Sequence, residues 1–392
     1  MQAPVYKAVS RPPQVFGAPM FPAILNFVIQ IAIMIIAQGI FPGQVDPDVF
    51  VTSFLIVHVG LIIWGQKEPH LSGILLSQNM IRSHWTQEGE LKDSQVLIPV
   101  VFEENSVRYK GGFIARVFRL NKSIQGVTNW RQWLTDLDPF EVEARVVVSN
   151  AEFTHIILSV GEEKALEQLN EATQGVRSML GDFDPVLLSA ADAKMFLEKE
   201  LKGGVRFSKN NSCLILGNHQ EYMTSVSIVS LGDQMDSRMF EEILSAENEI
   251  KIQHGIKFVP NNKAVPLLVH QRKMAFFTTF SQQVYEQYTT ILDKLSHFQE
   301  FPEILCYYSI NIFVTARSVA ELNQSVRRIR AVLDKYRFRS IRDNALNQVT
   351  FLTQFPVCRK YPRVFLCPSE TISVALSAVK QSSEKYKWGA TF

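Results

Sequence analysis

FPAILNFVIQIAIMIIAQGIF, from Phe21 to Phe41, carries no charged side chain. A bilayer core about 30 Å thick is crossed by roughly 20 apolar residues rising about 1.5 Å each, so the stretch is long enough to span. The uncharged run extends from Pro12 to Val45, further than a core helix of a soluble domain normally goes without an ion. A second apolar run, VFVTSFLIVHVGLIIWG from Val49 to Gly65, follows the turn PGQVDPD, in which Pro42, Gly43 and Pro47 stop helices. Together the two runs read as an N-terminal transmembrane helical hairpin. A signal peptide ends in small residues at its cleavage site, whereas AQGIFPGQVDPDVF leads straight into more apolar sequence, so the leader is expected to stay. The side chains expected to anchor it are Phe21, Ile24, Ile33, Ile40, Leu55, Ile62 and, as an interfacial aromatic, Trp64.

Lys7 and Arg11 precede the first run, Lys67 and Arg82 follow the second, and the turn holds only Asp46 and Asp48. Positive charge stays on the cytoplasmic side, so both hairpin ends and everything beyond them are expected there. The second run is short and includes His58, which suits a tilted or partly re-entrant helix. Asn26, Gln30 and His58 are polar groups at membrane depth, where they either serve a function or, more commonly, hydrogen-bond between helices or to a neighbouring subunit.

A formal net charge of +2 selects no class of partner. Cys213, Cys306, Cys358 and Cys367 match no zinc spacing, and in a cytoplasmic setting they are expected to be reduced thiols. The eight histidines form no H-E-x-x-H pair, and there is no G-x-S-x-G elbow, no dinucleotide fingerprint and no G-x-x-x-x-G-K-[ST] loop, nor even a Gly-Lys pair. No catalytic, metal-binding or cofactor-binding residue is therefore expected in this chain, which argues against an autonomous membrane enzyme.

The organisation reads as a hairpin with a connecting helix over 1–88 and two mixed sheet-and-helix subdomains over 89–205 and 206–392. Leu76, Met80 and Trp85 of the connecting segment could lie along the membrane interface, or the segment could be a plain linking helix. VLIPVVFE, SVRYKG and FIARVFRL are strands around a turn at Gly111 and Gly112. VEARVVVSN and THIILSV continue the sheet, and EEKALEQLNEATQGVRSML is an amphipathic helix. ADAKMFLEKEL, closed by Gly203 and Gly204, is another helix. Late in the chain, LCYYSINIFVTA is a strand, and Ser318 with Glu321 forms a capping box. Val319, Leu322, Val326, Ile329, Leu333 and Tyr336 then fall on one helical face. FRSIRD returns to the sheet, and NALNQVTFLTQF forms a second helix. The fold class is α+β, with a ferredoxin-like βαβα unit. The same region carries Arg327, Arg328, Arg330, Lys335, Arg337, Arg339 and Arg342, a patch that could hold phosphates but is more commonly a solvated face or a contact with an acidic subunit.

VYKAVSRPPQVFGAPM followed by an apolar hairpin resembles the small inner-membrane protein of bacterial type IV secretion and conjugation machines, with Lys7, Arg11, Pro12, Gly17 and Pro19 in its basic, proline-rich leader. YKGGFIARVFRLN and YSINIFVTARSVAELNQSVRRIRAVLDKYRFRSIRDNALNQVTFLTQFP resemble the N-terminal domain of the hexameric ATPase of the same machines. The two partners are neighbours in those systems and occur fused. The resemblance implies a membrane-anchored assembly and docking module at the bacterial inner membrane. It implies self-association as a ring-like oligomer and contacts with other inner-membrane components and ATPases. ATP and Mg would belong to a C-terminal motor domain, whose phosphate loop is not among these residues; the chain is either part of a longer ATPase, which is the favoured expectation, or a protein without a motor. The competing reading is a membrane-tethered nucleic-acid-binding protein using the basic helix 327–342.

Overall fold

A computed structural model describes residues 2–377 except 13, 45, 87, 93–95, 102–104, 111, 122–126, 138–141, 162–165, 202–203, 211, 218–220, 280–281, 297–302, 345 and 359–360. Gly111 and Gly203 fall outside the described residues, as do the side chains of Met80 and Arg82. The chain opens with β1 (Gln2–Pro4), one turn of helix α1 (Lys7–Ser10), and a ribbon of β2 (Gln14–Val15) and β3 (Ala18–Pro19). The two long apolar helices follow, α2 (Met20–Ile40) and α3 (Pro47–Lys67). Asp46 caps α3 by accepting from the Asp48 N–H at 3.0 Å, with Pro47 in the first turn where its missing N–H costs nothing. Helix α4 (Leu71–His84) and the short strands β4 (Val100–Val101) and β5 (Val107–Arg108) lead into the sheet.

The body of the protein is built from two segments of the same plan. The first runs β6 (Ile114–Leu120), α5 (Val127–Leu137), β7 (Glu143–Ser149), β8 (Thr154–Val160), α6 (Leu166–Met179) and β9 (Pro185–Leu187). A link with α7 (Ala190–Glu198) and the hairpin β10 (Val205–Ser208) and β11 (Cys213–Leu216) precedes the second. That one runs β12 (Glu221–Ser230), the short β13 (Gln234–Asp236), α8 (Ser237–Leu244), β14 (Glu249–Val259), β15 (Leu305–Ala316), α11 (Val319–Lys335) and β16 (Arg339–Arg342). Between β14 and β15 it inserts a helical hairpin, α9 (Asn261–Thr279) and α10 (Gln282–Ser296). Helix α12 (Asn347–Leu352), β17 (Phe365–Pro368) and α13 (Ser369–Leu376) close the described chain.

In space the strands of the first half lie in the order β9-β6-β8-β7 and those of the second in the order β16-β12-β15-β14, with every neighbour antiparallel. The halves join through equivalent strands, β7 against β14, also antiparallel, from Lys251 opposite Ser149 to Lys257 opposite Glu143. Antiparallel pairing of equivalent edges relates the halves by a local two-fold and makes one sheet, of thirteen strands among the described residues. Strands β15 and β16 are separated by β12, so the unit read from sequence at 305–355 takes its other strands, β12 and β14, from upstream.

Both faces of the sheet are covered, which is why THIILSV is buried at every position instead of alternating with polar residues. One face packs against α5, α6, α8, α11 and α13 in the main core, which includes Trp130, Trp133, Phe240, Leu333 and Ile372. Ser318 caps α11 by accepting from the Glu321 N–H at 3.2 Å, and Leu322, Val326, Ile329 and Leu333 are buried as the helical spacing requires. The other face packs against α4, α7 and the segment around α12, with Trp85, Phe351 and Phe355 in its core. Trp85 is therefore a core residue, edge-on to Phe351 at 6.2 Å, and not an interfacial one. On this face Arg145, fully buried, pairs with Glu143 at 2.6 Å and donates to the carbonyls of Thr353 and Cys358. Burial, the largest single influence, works against its charge, and Glu143 together with the neighbouring Tyr361, Cys358 and Tyr109 raises the Arg145 pKa above its ordinary value despite it. All four cysteines are buried, and none is in a disulfide.

Two core histidines make the fold acid-sensitive. His254 lies 2.6 Å from the Tyr308 hydroxyl and its pKa is pushed down to about 3 by burial; His155, stacked on Phe196 at 4.0 Å, is pushed down to about 4, chiefly by burial. In the unfolded chain both titrate near 6.5 and so take up protons first. Their stabilising contribution is complete above about pH 6.5 and is lost as pH falls toward the folded values. The melting temperature of the detergent-solubilised protein is expected to drop between pH 7.5 and 5, with a shallower drop in H254Q. A melting temperature flat over that range contradicts the assignment.

Candidate functional site: the seam between hairpin and domain

The two apolar helices pack on each other through polar as well as apolar contacts. Asn26 Nδ2 donates to the Phe54 carbonyl at 3.4 Å and Gln30 Nε2 to Ser53 Oγ at 3.1 Å. His58 is buried and stacks on Phe54 at 5.4 Å. Asn26 and Gln30 thus serve as interhelical hydrogen-bonding groups. Phe21, Ile24, Ile33, Ile40, Leu55 and Trp64 all point outward and are exposed, whereas Ile62 is half-buried and packs near Gly17. Met20–Ile40 and Pro47–Lys67 are both long and apolar enough to cross a membrane, and little of either is buried inside the protein.

Both ends of this hairpin are fastened to the sheet domain. Ahead of it, β1 pairs with β13 and Lys7 meets Asp233 at 2.6 Å. Behind it, Arg363 donates to Glu68 at 2.7 Å and to Asp343 at 2.7 Å; the arginine and Asp343 are almost wholly buried. Asp343 also accepts from Ser225, Ser227 and Thr350, so each buried oxygen is served, as a buried charge demands. Burial acts against the Arg363 charge, and Asp343 and Glu68 raise its pKa above the ordinary value despite it. His70 packs edge-on to Phe365 at 4.8 Å, and burial first, then the nearby Arg363 charge, push it down to about 3, so it is neutral. Two glycines allow the close approach: a Cβ on Gly65 would lie 2.6 Å from Pro19 Cδ, and one on Gly73 2.6 Å from the Pro362 carbonyl oxygen.

The basic residues singled out in the sequence are divided among different tasks. Arg339 donates to the carbonyls of Gln66 and Lys67 at 3.1 and 3.3 Å, closing the C-terminus of α3 where unsatisfied carbonyls and the helix dipole favour a cation. Lys335 pairs with Glu242 at 2.7 Å, and Arg337 with Asp233 at 3.2 Å, the carboxylate that also holds Lys7. Arg342 donates to Asn323 Oδ1 at 2.5 Å. Arg327 donates to the Asn323 carbonyl at 3.4 Å and Arg328 to Ser245 at 3.5 Å; with Arg330 they lie on the exposed face of α11. The residues that build the seam, Glu68, Asp343 and Arg363, were not apparent in the sequence, where each stands alone among other charges. Among the described residues no group of His, Cys, Asp and Glu is placed to hold a metal ion.

With the seam in place, the likeness to known families falls on its two sides. Residues 155–363, more than half of the chain, match the CagE, TrbE, VirB family, component of type IV transporter system, a family of ATPases. The chain belongs to that family. Residues 1–86 match the type IV secretory pathway, VirB3-like protein, so a VirB3-like membrane segment and a VirB4-type segment are fused in one chain. No curated protein shows significant similarity to it. The ion pair between Glu68 and Arg363 joins the first matched segment to the last residue of the second.

Replacing Arg363 by methionine leaves Glu68 and Asp343 without their counter-charge, a loss on the order of 3–5 kcal/mol for a broken buried pair. The expected result is faster amide exchange across 68–84, with exchange in β14 and β15 unchanged. Uniform exchange behaviour in the variant contradicts a role for this network in holding the seam.

Proposed function

We propose that the chain is a membrane-anchored assembly and docking module of a type IV secretion inner-membrane complex, placing the secretion ATPase beneath the translocation path. The observation that carries this is the seam. Residues before and after the hairpin are bound to one domain, so both ends of the hairpin lie on that domain's side of the bilayer. The distribution of Lys7, Arg11, Lys67 and Arg82 against Asp46 and Asp48 favours the cytoplasmic side. Tethering makes partner binding effectively intramolecular, with effective concentrations that reach the millimolar range for short connections.

In this reading residues 1–88 are the anchor, and the sheet-forming halves are two docking units, each a β-α-β-β-α-β arrangement of ferredoxin-like order. They offer helix faces for a ring of copies and for other inner-membrane components. ATP and Mg belong to a motor domain outside these residues. Nucleic-acid binding by the helix 327–342 is less favoured, because Lys335, Arg337 and Arg339 are already engaged within the protein.

Imaging of the full-length gene product purified with its membrane tests the proposal. Expected is a ring-shaped assembly with residues 20–67 in the detergent belt and the sheet domain packed on one side. A monomer that stays soluble without detergent contradicts it.

A further inference from the structure

A cleft of about 260 Å³ opens along the seam, lined on one side by the leader, the turn after α3 and the start of α4, including Arg11, His70 and Ser72, and on the other by Leu267, Gln271 and Tyr307. The volume lies near the lower limit for ligand sites, about 300 Å³, and suits a headgroup better than a whole lipid. Two polar atoms in its lining, His70 Nε2 and Gln271 Oε1, are buried with no hydrogen-bond partner among the described residues. The His70 residue is only 4% exposed, and its ring hydrogen-bonds to the Val229 backbone. A neutral imidazole that has given its proton to that bond offers a lone pair at the other nitrogen, so both orphan atoms are acceptors. Unpaired buried acceptors cost free energy that a donor would recover. Arg11, on the rim, is exposed and cationic, and among the described residues no carboxylate lines the cleft.

The position is decided by chain length. A helix of 21 residues such as α3 rises about 31 Å, the thickness of the hydrocarbon core. His70 follows Lys67 by three residues, a reach of at most about 11 Å, while the headgroup layer extends some 5–8 Å beyond the core. The cleft therefore borders the headgroups. From these facts we propose that it binds the phosphoethanolamine-type headgroup of an amino-phospholipid, the ammonium donating to His70 and Gln271 and the phosphate meeting Arg11. The apolar lining, Val9, Leu267 and Leu366, faces the carbon backbone of the headgroup. Such a lipid would wedge between the two family segments and lock the seam only when the hairpin is seated in a membrane.

This inference rests on the hairpin lying in a bilayer, and the test separates the two. The full chain is purified in detergent with an equimolar mixture of phosphatidylethanolamine and phosphatidylglycerol, and retained lipid is counted by native mass spectrometry. Expected is retention of the ethanolamine lipid over the glycerol lipid by about tenfold, the effect of one charge-assisted pair. Q271L and H70F should remove this preference, and R11Q should lower retention of both lipids. Melting temperatures close to wild type show that the variants are folded; for any variant that does not fold, competition on the wild-type protein gives the result. Water-soluble glycerophosphoethanolamine should compete with the retained lipid, and inorganic phosphate should not. Equal retention of the two lipids, an unchanged preference in Q271L, or equal competition by inorganic phosphate overturns the proposal. A chain that needs no detergent but still binds glycerophosphoethanolamine would refute the membrane reading and leave the cleft assignment standing.

Discussion

The Arg363 guanidinium, buried between Glu68 and Asp343, is the constraint on which the relation of membrane helix to sheet depends. An ion removed from water is tolerated only when paired and hydrogen-bonded. Here the pairing is completed by residues from four places: the end of α3, the loop after β16, strand β12 and helix α12. Moving any one of these elements away breaks an ion pair or a hydrogen bond to a buried charge. Arg339 on the α3 carbonyls and Lys7 on Asp233 repeat the same device on either side, beside the β1–β13 pairing and the close approaches at Gly65 and Gly73.

The sequence made the hairpin legible because length and absence of charge are local properties that need no partner to interpret. Helix α11 was legible for the same reason: its capping residues and its apolar face are all within one segment. The seam was not. Glu68 and Arg363 are 295 positions apart, and nothing in the residues around either one signals the other. The pairing of β7 with β14 and the repetition of a β-α-β-β-α-β plan were equally hidden, because the halves share strand order and not a visible residue pattern. Trp85 shows the limit of composition: an aromatic near a membrane helix reads as interfacial, yet a buried place against Phe351 was available.

The basic stretch from Arg327 to Arg342 illustrates how a charge pattern divides in three dimensions. Read along the chain it is one patch. In the fold, Arg339 and Arg337 face the hairpin and its leader, Lys335 faces α8, and Arg327, Arg328 and Arg330 remain on the exposed face of α11. Two residues of the run, Arg337 and Arg339, thus lie where the membrane segment is attached to the domain, and the other five serve the domain itself or its exposed face.

Labelling from one side of the membrane tests the central claim most directly, that the two hairpin ends share a side with the sheet domain. Single cysteines are placed at Gln44 in the turn and at Gln324 on α11, and intact cells are exposed to a membrane-impermeant maleimide. The account predicts that Q44C reacts in intact cells and Q324C only after lysis. Reaction of both before lysis, or of Q44C only after it, would contradict the account.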